Sequence, residues 1–347
     1  MRWLKGFLWT AGALVLLLGF AFWMRPLDVF DDFTYLQEAI AGVHNQWAWV
    51  DGFRMHYEVE GPAAGPPVVL VHGLGGRAED WRALAPYLAK AGYRVYMPDL
   101  IGYGRSDQPK DFSYSIHDEA ALVVAFFNAV GIKQADLGGW SMGGWIVQMV
   151  AATHPERIKR LLIFDSAGLY VRPTWDTRLF TPTSVAQLTN LDALLMPHPP
   201  RIPGFVASDI LRVSRQSGWV IQRAMAQMLS GQDVTDNLLP RLRMPVLIEW
   251  GSADRIIPLD QGQKMHSLIP QSHLEIYPDC GHLAPLQCAG EMGPNVVRFL
   301  QTTPAATAPQ TPFTPINGVP NGQQRPRTEA ASLESTRSAS DTAGARN

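Results

Sequence analysis

Leu137-Gly-Gly-Trp-Ser-Met-Gly-Gly144 decides how this chain is read. It holds Gly139-Trp140-Ser141-Met142-Gly143, a full match to G-x-S-x-G. A serine at the tip of a sharp strand-to-helix turn takes a strained backbone conformation and thrusts its Oγ outward. Glycines two residues before and after it are required, because a Cβ there would collide across the turn. The string alone also suits any glycine-rich βα turn around an inert serine. Its flanks favour the elbow. Ala135–Gly138 ends a short apolar run, and Trp145-Ile-Val-Gln-Met-Val-Ala-Ala152 opens a helical one. Strand, elbow and helix are the context the motif needs.

Outward from the elbow, Pro67–Val71 and Leu161–Phe164 are continuous apolar runs, and Tyr93–Met97, Val246–Trp250 and Leu274–Tyr277 are mainly apolar ones. Continuous rather than alternating patterns indicate strands buried on both faces, hence a parallel sheet. Helical patterns separate them at Trp81–Ala91, Ile116–Val130, Trp145–Thr153 and Leu259–Leu268. At the front, Trp47–Val59 is split by Asp51-Gly52 and reads as a hairpin. The fold class is therefore α/β: a mostly parallel, doubly wound sheet with an antiparallel start. Between Ser166 and Arg243 the alternation stops. A segment of about 167–243, between the sixth and seventh strands, is placed to form a helical cap over the site. Its Leu191, Leu194, Leu195, Met196, Phe205, Trp219 and Met225 are candidates to line an acyl pocket or simply to pack the cap.

A nucleophilic serine needs a base, an acid to orient the base, and donors for an oxyanion. Val71-His-Gly-Leu-Gly-Gly76 follows the first apolar strand, beside the elbow in such a sheet. The oxyanion hole is assigned to the amides of Leu74 and Met142, the latter following the nucleophile. His72, inside that loop, is expected to buttress it rather than act as base. The acid is assigned to Asp254, in the turn-rich Gly251-Ser-Ala-Asp-Arg-Ile-Ile-Pro258 after a strand. Asp165, ending the strand after the elbow helix, competes with it, while Glu249 lies inside its strand. The base is His282 in Pro278-Asp-Cys-Gly-His-Leu283, again just past a strand. His44, His56, His117, His154, His198, His266 and His273 lack such a position and are expected to be surface or packing residues. The order Ser141, Asp254, His282 is the one this architecture uses.

His72-Gly-Leu-Gly-Gly76, Asp99-Leu-Ile-Gly-Tyr-Gly-Arg-Ser-Asp107, the elbow, the Asp254 loop and Gly281-His-Leu-Ala-Pro285 together resemble the α/β-hydrolase superfamily. The likeness covers roughly Trp47–Leu300. The N-terminal apolar segment, Asp165-Ser-Ala-Gly-Leu169 and Thr181-Pro-Thr183 are further similar to membrane-anchored monoacylglycerol lipases and related bacterial lipases. The resemblance implies ester hydrolysis with neither metal nor organic cofactor, on a small-molecule ester or lipid. Dehalogenases and epoxide hydrolases of this fold use an aspartate nucleophile, which Ser141 argues against. Alternatives are a C–C bond hydrolase, an iminopeptidase-like peptidase or a perhydrolase sharing the triad, or a hydrolase-fold binding protein without activity.

The rest of the chain divides into an anchor (1–25), a linker helix (26–46), the hydrolase domain (47–301) and a disordered tail (302–347). Phe7–Met24 carries no charge, with Arg2 and Lys5 before it and Arg25 after. Its eighteen residues would extend roughly 27 Å as a helix, close to the ~30 Å hydrocarbon core. An uncleaved signal anchor is expected, with the N-terminus cytoplasmic and the catalytic domain outside. A cleaved signal and a secreted enzyme are the alternative. Phe30, Phe33, Leu36, Ile40 and Val43 recur at helical spacing, and packing of that face on the domain is expected ahead of seating on the membrane. From Thr302 the composition turns to Pro, Ala, Thr, Ser, Gly and Gln, which buries too little apolar surface to order a chain. A net charge of −2 argues against nucleic acid as partner. Cys280 and Cys288 flank His282, and two buried free thiols are expected there.

Overall fold

The computed structural model describes residues 2–306. Two helices come first, α1 (Arg2–Met24) and α2 (Pro26–Ala41). They are followed by the antiparallel hairpin β1 (His44–Val50) and β2 (Phe53–Glu60). Asp51 and Gly52 both have positive φ, at 48° and 90°, as a tight two-residue hairpin turn requires. Then come β3 (Pro67–Val71), α3 (Ala85–Lys90), β4 (Arg94–Pro98), α4 (Ile116–Ala129), β5 (Ala135–Trp140), α5 (Met142–Thr153) and β6 (Ile158–Phe164). The helices α6 (Val185–Leu195) and α7 (Gly204–Leu229) fill the interval before β7 (Val246–Gly251). The chain closes with α8 (Leu259–Leu268), β8 (Ser272–Tyr277), α9 (Ala284–Gln287) and α10 (Ala289–Thr302).

The eight strands form one sheet in the order β1-β2-β4-β3-β5-β6-β7-β8. The β1–β2 and β2–β4 pairs are antiparallel and all others parallel. The continuous apolar runs are explained by the two faces of this sheet. On β3, Val69 and Val71 enter the core beneath α4 and α5, whereas Val68 and Leu70 enter the one beneath α3 and α10. Leu161 and Ile163 divide from Leu162 and Phe164 on β6 in the same manner. With no face left for water, alternation has no use. The order reverses around β3, so the loops after β3 and β5 meet at the carboxyl edge, where ligands bind in open α/β sheets.

Three expectations need adjustment. First, the sheet begins at His44 rather than Trp47, because β1 pairs with β2 from His44 opposite Val59 onward. Second, α2 docks through its polar side. Asp31 forks to Arg77, while the apolar side bearing Phe33, Leu36 and Ile40 is exposed. Third, Thr302 still belongs to α10, and the next residues pair with the start of β6. Arg160 Nε donates to Thr303 O at 2.8 Å, and the Ala306 amide donates to Lys159 O at 3.2 Å. The remainder of the expected tail, 307–347, lies outside the described residues. Among the described residues no single helix is long and apolar enough to cross a membrane. Ala11–Met24 and Pro26–Ala41 reach that length and composition only together, bent by 115°.

Candidate active site

Ser141 sits between β5 and α5 with φ 58° and ψ −118°, a conformation in which an L-residue is strained. Neighbouring strands hold it there. Its amide donates to Phe164 O at 3.0 Å, and its carbonyl accepts from Trp145 and Ala167. A Cβ on Gly139 would lie 2.2 Å from Gly143 O, and one on Gly143 would lie 2.2 Å from Val71 O. Both glycines are demanded by backbone crossing backbone, not by flexibility.

His282 Nε2 lies 2.9 Å from Ser141 Oγ, and its Nδ1 lies 2.8 Å from Asp254 Oδ2. The other Asp254 oxygen accepts from the amides of Ile256 and Ile257, at 2.8 and 2.9 Å. These bonds fix the carboxylate so that Oδ2 faces the imidazole. Trp140 Nε1 donates to His282 O at 2.8 Å, tying the histidine loop to the strand that carries the serine. Asp254 and His282 are both buried, whereas Ser141 opens onto a cavity. The three side chains are thus brought into a continuous hydrogen-bonded row.

Leu74 lines the same cavity, and Met142 is the first residue of α5, at the positive end of that helix. The loop before Leu74 runs against Ser141: a Cβ on Gly73 would meet Ser141 Cβ at 3.1 Å. His72 holds this loop from within. The Leu100 amide donates to its Nε2 at 3.0 Å, so Nδ1 carries the proton it gives to Gly73 O at 2.8 Å. It has no contact with the nucleophile–base row.

Asp165 is not on the imidazole. Its Oδ1 accepts from the Gly251 amide at 2.7 Å, its Oδ2 has no partner, and burial holds its pKa well above the carboxylate range. Glu249 is buried in β7, where Tyr277 and Asn295 donate to its Oε1 at 3.2 and 2.6 Å. Burial pushes its pKa up to about 8, with those two bonds opposing the rise. Among the described residues no group of three or more His, Cys, Asp and Glu is arranged to hold a metal ion.

The two cysteines are joined, not free. Cys280 and Cys288 form a disulfide with Cα atoms 6.3 Å apart, across the short α9 that follows His282. Spacing alone did not reveal it, because α9 is what brings the two Cα atoms within bridging range.

A cavity of about 340 Å³ opens at Ser141. Its apolar wall comes from Leu74, Trp145, Leu169, Trp175, Met225 and Met265, among others. Of the cap residues expected here, only Met225 lines it. Leu195 instead meets the histidine loop through its backbone, its carbonyl accepting from the Leu283 amide at 3.4 Å. Phe205 meets Phe22 edge to face, and Trp219 meets Tyr114 likewise. The 168–175 stretch supplies the wall that sequence reading missed, since it has neither strand nor helix period. His56, expected at the surface or in packing, is a buried packing residue with Asp99 and Asn45 on its two nitrogens at 2.8 and 2.7 Å.

A family match agrees with this geometry. The alpha/beta hydrolase fold family matches residues 66–196 and 208–288, most of the chain. This protein belongs to that family. Among its relatives, Lipase 1 of Psychrobacter immobilis is 29% identical over 268 residues, covering 72% of this chain and 81% of the lipase. A 2-hydroxy-6-oxo-6-phenylhexa-2,4-dienoate hydrolase of Burkholderia cepacia is 30% identical over 274 residues, covering 72% and 92%. The crystal structure of a bacterial membrane phospholipase A superposes with a TM-score of 0.73 at 24% identity, over 86% of this chain and 98% of that one. That last likeness is one of fold.

Proposed function

We propose that this α/β-hydrolase is a serine carboxylester hydrolase of the lipase type. The observation that carries the reading is the apolar cavity ending at Ser141, which is itself bonded to a buried histidine that is bonded in turn to a buried aspartate. Its volume lies at the low end of the ~300–1,000 Å³ typical of ligand sites, suited to a medium acyl chain. Each buried CH₂ contributes about 0.8 kcal/mol. His282 takes the Ser141 proton as Oγ attacks the ester carbonyl. Asp254 holds the imidazole in the tautomer that leaves Nε2 free and stabilises the cation that forms. The amides of Leu74 and Met142 are assigned to the oxyanion. His282 returns the proton to the leaving alcohol, and water then releases the acyl group by the same route.

The dienoate-hydrolase relative favours a second reading, cleavage of a C–C bond by the same serine. A dienoate brings a carboxylate into the site, and a buried carboxylate needs a cation or several donors. Among the described residues Arg172 is the one charged side chain on the cavity wall, and it is exposed. This favours the ester.

The outward apolar faces of α1 and α2 support membrane association, and the disulfide suits an oxidising compartment outside the cytoplasm. Labelling by a fluorophosphonate, followed by p-nitrophenyl esters from acetate to octanoate beside a dienoate substrate, tests the chemistry. Labelling, with kcat/KM rising toward octanoate, is expected. A steady fall along the series would make it a small-ester esterase, and faster turnover of the dienoate would make it a C–C hydrolase. Sedimentation with membranes after carbonate washing tests the anchor.

A further inference from the structure

The loop that carries Leu74 is held from inside by His72 and from outside by a residue of another part of the chain. Arg77, three residues past Leu74, directs its guanidinium to both oxygens of Asp31 on α2, at 2.8 and 2.7 Å. Its Nε also pairs with the buried Glu79 at 3.1 Å. A forked guanidinium–carboxylate pair fixes direction as well as distance. Between the two anchors stand Gly75, at φ 74°, and Gly76, the residues least able to hold the Leu74 peptide plane by themselves.

The same helix reaches the cap. The Leu27 amide donates to Asp209 Oδ2 at 3.1 Å, and Asp28 accepts from Arg212 at 3.2 Å, both partners lying on α7. One α7 side chain, Ile221, lies against Gly75, where a Cβ would meet it at 3.3 Å. Thus α2 grips the oxyanion loop on one side and, through α7, the residue that packs on that loop from the other.

We infer that α2 is an activating clamp and that Asp31 and Arg77 are positioning residues for the Leu74 amide. The inference rests on the ester-hydrolase reading of Ser141. Neither side chain touches substrate. Their effect reaches the reaction through the orientation of the loop backbone, so it falls on the step that generates the oxyanion. Losing an oxyanion donor outright lowers kcat by roughly 10²–10³. Loosening one should cost less, about tenfold.

The test compares full-length Asp31→Asn, Asp31→Glu and wild type with p-nitrophenyl butyrate, and with phenylboronic acid, whose serine adduct places an oxygen where the oxyanion forms. Asp31→Asn should lower kcat about tenfold, leave KM within twofold, and raise the boronate Ki by the factor that kcat loses. Asp31→Glu should recover most of both. Melting temperatures within a few degrees of wild type accompany this result. Values of kcat and Ki within twofold of wild type in Asp31→Asn would overturn the clamp. So would a change confined to KM, or an Asp31→Glu as impaired as Asp31→Asn. A wild-type chain that neither turns over the ester nor binds the boronate would overturn the reading of Ser141 itself.

Discussion

The nucleophile elbow and the cap occupy the same carboxyl edge of the sheet, yet the chain specifies them differently. At the elbow the requirements are steric and fall on particular residue types. Gly139 and Gly143 are needed because Cβ atoms there would lie 2.2 Å from backbone oxygens, and Ser141 is pinned by the hydrogen bond from its amide to the Phe164 carbonyl of β6 and by the Trp145 and Ala167 amides on its own carbonyl. Such constraints are written in residue type and spacing, so a short string reports them. In the cap, α6 and α7 are ordinary amphipathic helices. Their apolar positions state that something is covered, not which side of the helix covers substrate. Leu195 and Met225 look alike in sequence, but Met225 lines the cavity and Leu195 does not, its backbone meeting the histidine loop instead. Chemistry that depends on forbidden geometry is legible. Specificity that depends on a helix's rotation is not.

The comparison breaks most directly at Ser141. We expect Ser141→Ala to fold as wild type and to lose roughly 10⁶ in kcat, the scale of a triad nucleophile. Titration with a fluorophosphonate and steady-state ester hydrolysis check it. A variant keeping a tenth of the activity would remove the elbow from the chemistry.

Next in size is the choice between two strand-end aspartates. Asp254→Asn should lower kcat by roughly 10⁴, because the amide favours the wrong imidazole tautomer. Asp165→Asn should change it by no more than a few-fold, since Asp165 bonds the Gly251 amide and not His282. Both aspartates follow strands, and order along the chain allows either. What separates them is Asp254's position on a loop whose Ile256 and Ile257 amides turn its second oxygen toward the histidine. Parallel kcat measurements decide, and the reverse ranking would move the acid to β6.

The cap is sharpened by a paired substitution. Met225→Ala should lower kcat/KM for octanoate about tenfold while leaving acetate within twofold, the size expected for one lost apolar contact of ~1–3 kcal/mol. Leu195→Ala should leave the octanoate-to-acetate ratio unchanged. Equal effects on that ratio would mean that the cap moves as a unit over the acyl chain.

The strands, the elbow, the histidine loop and the hairpin turn were all readable, because each follows from a hydrophobic run, a turn residue or a steric prohibition. Three features were not. The direction of α2 depends on Arg77, forty-six residues away from Asp31, and a helical period says nothing of a distant ion pair. The disulfide depends on a distance set by α9. The cavity wall at 168–175 has no period to detect. In each case the deciding contact is long-range, or the segment is irregular.

The smallest expected effect tests the layer beneath both regions. Glu249 lies in β7, the strand whose end carries the Asp254 loop, and its burial raises its pKa to about 8. In the unfolded chain an ordinary glutamate titrates near 4.3. Between those values the native state holds a proton that the unfolded state has released, so stability falls as pH rises through that window and levels off above it. The contribution is at most of the order of a few kcal/mol. Asp165, also raised by burial, acts in the same direction. Glu249→Gln keeps an oxygen to accept from Tyr277 and Asn295 but carries no titrating proton. The melting temperature of Glu249→Gln, relative to wild type, should therefore climb from pH 5 to about pH 8 and level off by pH 9, whatever its absolute offset. The residual slope in the variant should diminish further in Asp165→Asn/Glu249→Gln. A wild-type melting temperature that rises over this range, with the same slope in the variant, would show that Glu249 is ionised in the folded sheet. The Tyr277 and Asn295 donors would then outweigh its burial.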